Sequence, residues 1–130
     1  MEQINWLAVL VAAVSAFVLG GIWYGPLFKH AWCREAGIDP TVTAKHPARV
    51  FGIAFVCSLI AAAVFAWLVG PQPSLSTALQ TGLFAGFGLV AMSFGINYAF
   101  AQRSVRLWAI DGGYHTLQFA LYGLILGLWH

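Results

Sequence analysis

The sequence predicts an all-α integral membrane four-helix bundle with a short interfacial helix after the first span. Hydrophobic residues make up 61% of the 130-residue chain and charged residues only 8%. Soluble domains carry about 25% charged residues, so this chain lacks the polar groups to cover a water-facing surface. Its apolar residues fall into four runs, each near the length of about 20 residues that a crossing needs. All six Lys and Arg (Lys29, Arg34, Lys45, Arg49, Arg103 and Arg106) lie in the segments between the first and second runs and between the third and fourth. The chain therefore reads as one domain, residues 1–130, with spans at about 4–24, 48–69, 75–100 and 112–129.

The first run gives about 31 Å of helix, enough for a hydrocarbon core of about 30 Å. No Lys or Arg precedes Lys29, and the run exceeds a signal-peptide core, so it is expected to stay as a helix. Gly25-Pro26 interrupts it, because Pro lacks an N–H and disfavours helix in the residue before it. A new amphipathic segment is expected from Pro26, with Leu27, Phe28, Ala31, Trp32 and Ala36 on one face and Lys29, His30, Arg34 and Glu35 elsewhere. It suits the headgroup region. Gly37 is a natural stop for it, and Asp39-Pro40 reads as a turn.

Pro47 fits the first position of the second helix. Gly70-Pro71-Gln72-Pro73 forms a tight connection, and Ser74 is placed to cap the third helix. At about 39 Å the third run must tilt, bend or protrude. Residues 101–110 read as a connection, and the fourth run spans about 27 Å.

Four crossings put both termini and the Gly70 connection on one side, and segments 29–49 and 101–110 on the other. With all six cations on that second side, it is expected to be cytoplasmic and the termini outside. The tryptophans agree as interface anchors: Trp6, Trp67 and Trp129 at outer ends, Trp23, Trp32 and Trp108 at inner ends. A net charge of +2 with no basic stripe excludes nucleic-acid binding. Cys33 and Cys57 have no metal or redox spacing and read as free thiols. His30, His46, His115 and His130 have no metal-ligand spacing either, and no cofactor is expected.

Ionisable and polar groups within spans are the functional candidates. On the fourth run Asp111, His115, Gln118 and Tyr122 share one helical face by their spacing. Asp111 and His115 could pair, and Asn97 and Tyr24 are expected at similar depth, giving a polar pocket open to the cytoplasm. The competing reading makes Asp111, just before Gly112-Gly113, an N-cap. His115 then reaches interfacial water, and Gln118, Tyr122 and Asn97 bond between helices. The pairs Gly21/Gly25, Gly82/Gly86 and Gly123/Gly127 match the small-residue packing pattern, which serves contacts within or between chains.

Residues 4–32, INWLAVLVAAVSAFVLGGIWYGPLFKHAW, carry a Trp-Tyr-x-Pro-Leu-Phe turn and a Trp six residues beyond the Pro. With the length, the four runs and the Gly-Tyr start of the last one, the chain resembles a bacterial membrane family catalogued as domain of unknown function 1761. The resemblance implies a small four-helix protein of the bacterial cytoplasmic membrane and carries no reaction, ligand or catalytic residue.

Three functions compete. A non-enzymatic homo-oligomer that binds or passes a small solute ranks first, since four short helices are too few to enclose a path alone. An accessory subunit of a larger membrane complex comes second. A small four-helix membrane enzyme of the glutathione-conjugating kind ranks last, because the basic residues sit at interfaces and in loops.

Overall fold

A computed structural model describes residues 4–39 and 47–129, and those residues contain helices and no strand. Five helices follow in chain order: α1 (Trp6–Leu27), α2 (Lys29–Ala36), α3 (Pro47–Val69), α4 (Leu75–Phe100) and α5 (Val105–Leu128). Residues 40–46, with Lys45, His46 and the Pro40 turn, lie outside the described residues, as does His130.

Among the described residues α1, α3 and α4 are long and apolar enough to cross a membrane. The expected fourth run is different. Its helix begins at Val105 rather than Gly112, because Ser104 caps it by accepting from the Leu107 N–H at 3.1 Å. Much of the expected 101–110 connection is thus the first turns of α5. This helix of 24 residues has the length of a span but falls short in apolarity.

The break after the first run also differs from expectation. Pro26 has no N–H to offer its own helix, and α1 continues past it by widening into a π-turn over Trp23–Leu27. The Phe28 N–H closes that turn on the Trp23 carbonyl at 2.9 Å. The chain leaves helical geometry at Phe28 (φ −125°, ψ 12°), and α2 starts at Lys29. Gly37 ends α2 in the left-handed conformation at φ 75°, which a Cβ would disfavour. Cys33 is buried against the bundle, while Lys29, His30 and Arg34 are exposed.

α5 is the central helix. α1 and α4 both pack along it, and α3 packs on α1. Contacts run antiparallel: Tyr114 of α5 meets Ala16 of α1 and Asp111 meets Tyr24, while Gly82 and Gly86 of α4 meet Phe119 and His115. Antiparallel packing brings α2, the start of α3, the turn before α5 and the start of α5 to one end. There Arg103 Nη2 donates to the Ala36 carbonyl at 3.1 Å and ties the turn to α2.

The interior is built from small residues. Ala8, Ala12, Ala13 and Ala16 of α1 are fully buried, while Leu7, Val18, Ile53, Ile60, Phe84, Leu89 and Ile96 face outward. So continuous an exposed apolar surface is compatible with a lipid surround, where close packing of small residues drives helix association. At Gly82 and Gly123 a Cβ would overlap the carbonyls of Phe119 and Ala78. At Gly86 it would sit 2.7 Å from the His115 carbonyl, and at Gly127 2.9 Å from Leu75 Cα. Two of the three glycine pairs are therefore spent on the α4–α5 contact inside one chain.

Candidate functional site

The polar groups gather on α5 and its neighbours at the end that carries the cations. Asp111 is 7% exposed and accepts three hydrogen bonds from three elements. Tyr24 Oη of the π-turn donates to Oδ1 at 2.6 Å, Trp32 Nε1 of α2 to Oδ1 at 3.0 Å, and Tyr98 Oη of α4 to Oδ2 at 2.5 Å. The N-cap reading of Asp111 is overturned, since it lies inside α5 and Ser104 does the capping. A carboxylate offers about four acceptor sites, and three are filled here by neutral donors. Hydrogen bonds to a charged acceptor are the stronger kind. Asp111 therefore clamps the surface helix, the end of α1 and the end of α4 to the central helix.

His115 does not pair with Asp111, whose oxygens accept from Tyr24, Trp32 and Tyr98 instead. Its Nδ1 lies 2.6 Å from Gln118 Oε1, and its ring stacks on Phe94 with centroids 5.0 Å apart. Gln118 Nε2 donates to Tyr122 Oη at 2.7 Å, and Tyr122 Oη lies 2.7 Å from Ser58 Oγ and donates to the Ser58 carbonyl at 3.1 Å. Ser58 Oγ reaches the Ala13 carbonyl at 3.2 Å. The row crosses the bundle from α5 to α3 and α1. No buried side-chain N or O among the described residues lacks a partner. Of the six expected pocket residues, Tyr24 joins the Asp111 clamp, and His115, Gln118 and Tyr122 form the second row. Asn97 is exposed, one position from Tyr98, whose side chain turns inward instead.

The six tryptophans divide in two. Trp6, Trp67 and Trp129 expose 53%, 59% and 41% of their surface at the end opposite the cations. Trp23, Trp32 and Trp108 turn their indole N–H groups inward, Trp23 to the Ile110 carbonyl at 2.9 Å and Trp108 to the Ala91 carbonyl at 2.7 Å. Glycines seat these rings, Gly113 beneath Trp23 and both Gly95 and Gly112 beneath Trp108. The tryptophans at the cation-bearing end thus bind the helices together.

Beside the clamp lies the feature that sequence reasoning missed. A groove of about 500 Å³ runs between α1 and α3, with Gly20, Gly21, Gly25, Phe17, Val50, Phe51, Ala54 and Lys29 in its lining, together with Tyr24, Ser58 and Tyr114. Nothing comes within 4 Å of a Cβ placed on Gly21 or Gly25. This third glycine pair is the one not closed by packing, and its missing side chains hollow the groove. The lining hydroxyls point away from the space: Tyr24 to Asp111, Tyr114 to the Ala16 carbonyl at 2.9 Å, and Ser58 to Tyr122 and Ala13. The signal was present in Gly21-x-x-x-Gly25, but spacing alone does not separate a packed pair from an open one.

Among the described residues no three His, Cys, Asp or Glu side chains converge on a possible metal position. A family model described as a protein of unknown function, DUF1761, matches residues 7–127. No curated protein and no solved structure matches the chain.

Proposed function

Because this chain belongs to the DUF1761 family of proteins of unknown function, to which no reaction is attached, we propose its role from the groove: a non-enzymatic membrane protein that binds a small apolar molecule taken from the bilayer. The carrying observation is the groove of about 500 Å³ between α1 and α3, within the range of about 300–1,000 Å³ for small-molecule sites. Its walls are apolar and its lining residues Gly21, Val50, Phe51 and Ala54 are exposed, so a ligand would enter sideways rather than along a pore. The Asp111 clamp holds Tyr24, and with it one wall of the groove, in place.

The same reading takes α5 as a fourth crossing. It lies antiparallel along the apolar helices α1 and α4, and its polar groups are sheltered and hydrogen-bonded there, which removes most of the cost of carrying them into lipid. The end with Lys29, Arg34, Arg49, Arg103 and Arg106 then faces the cytoplasm and both termini lie outside. A solute path along the His115 row finds less support, since those groups satisfy one another. Binding in the groove needs no homo-oligomer.

Native mass spectrometry of protein released from mild detergent tests the proposal. A retained adduct of one small amphiphile per chain is expected, and Gly25→Leu should remove it. A chain free of adduct in both forms, after purification in several mild detergents, would overturn the binding role.

A further inference from the structure

The groove's ends differ, and that difference bears on the class of ligand. We infer that it takes a single-chain amphiphile with a singly charged anionic head, a long-chain carboxylate, and that Lys29 is the headgroup partner. This rests on the binding role proposed above and specifies its ligand. The groove reaches from Lys29, the first residue of α2, back to Phe17 on α1. On α3 the facing wall runs from Val50 to Ser58, about 12 Å of helix, a stretch that an extended chain would follow. Along that length the wall hydroxyls are turned into the protein, so nothing inside the groove would meet a polar body. Phe17, Val50, Phe51 and Ala54 offer apolar contact alone. The charge is confined to one end, where the Lys29 ammonium is exposed, and the described ion pair nearby joins Arg34 to Glu35 instead. A long apolar slot ending at an interfacial cation matches a tail with one anionic head. A helix of a second copy would use the slot but not the cation.

The test uses the full chain in nanodiscs of zwitterionic lipid, labelled with a diazirine-bearing long-chain carboxylate or with the matching alcohol. The carboxylate is expected to label peptides of α1 and α3 that line the groove, saturably, and more strongly than the alcohol. Lys29→Gln should weaken carboxylate labelling about fivefold, as for one interfacial cation, and leave the alcohol unchanged. Gly21→Leu, which fills open space, should abolish labelling by both, and Ala54→Phe should do the same from the opposite wall. Equal labelling by both probes, indifferent to Lys29→Gln, would overturn the anionic class while leaving apolar binding standing. Labelling that survives both groove-filling variants would overturn the binding role itself. A dimer that Gly21→Leu converts to monomer would assign the slot to a second copy and overturn both.

Discussion

Asp111 shows how a single buried carboxylate can tie three neighbouring elements to the central helix. Three neutral donors from three helices satisfy it, so its removal strands all three at once. An unpartnered buried donor costs about 1–3 kcal/mol. Asp111→Ala is therefore expected to lower stability by about 3 kcal/mol, against about 1 kcal/mol for Tyr98→Phe, whose ring is only partly buried. Unfolding titrations in mixed micelles measure both, and equal losses would contradict the clamp. The sequence puts Tyr24 and Asp111 among the polar residues of one end and His115, Gln118 and Tyr122 on one helical face with Asp111; the structure splits that face into the Asp111 clamp and a separate row. Tyr98 and Trp32 were not legible as Asp111 partners, because nothing local ties them to a residue 13 or 79 positions away. The capping role was misread for a local reason as well: Gly112-Gly113 looks like a helix start, but the glycines are there to seat Trp23 and Trp108.

At the scale of helices, the three glycine pairs are one motif with two uses. In α4 and α5 they let backbones touch; in α1 they leave space. Gly82→Ala and Gly123→Ala are expected to cost about 1–3 kcal/mol, the range for overpacking a tight contact. Gly21→Ala should instead stabilise by about 0.5 kcal/mol, since alanine is the better helix former and meets nothing. Opposite signs in the same unfolding assay are the expected result. Destabilisation by Gly21→Ala would show that the space is filled. The bounds of α3 and α4 were legible, because Pro47 and the Ser74 cap are local signals, but the widening of α4 into π geometry over Phe84–Ala91 was not. Those of α1 and α5 were not: a π-turn carried α1 past a proline that ordinarily stops a helix, and Ser104 began α5 between two arginines that read as loop.

For the whole molecule, the apolar runs in the sequence did reveal a helical chain with three helices long and apolar enough to cross a membrane, because an exterior of large apolar side chains is what composition measures. They did not reveal which helix lies inside. α5 is the least apolar of the long helices because α1 and α4 cover it, and no hydropathy pattern states its neighbours. The charge placement carries an expectation of its own. A reporter active only in the cytoplasm, fused after residue 130, is expected to be silent, and one in the 101–104 turn should be active. The groove is where architecture and role meet, and the most direct measurement is made there. Titrating a ¹³C-labelled long-chain carboxylate into the protein in nanodiscs should give saturable intermolecular nuclear Overhauser effects from the chain to Gly21, Gly25 and Ala54, with the carboxyl end nearest Lys29, and Gly21→Leu should remove them. Contacts spread evenly over the outward faces of α1, α3 and α4, unsaturable and unchanged in Gly21→Leu, would contradict a binding role for this groove.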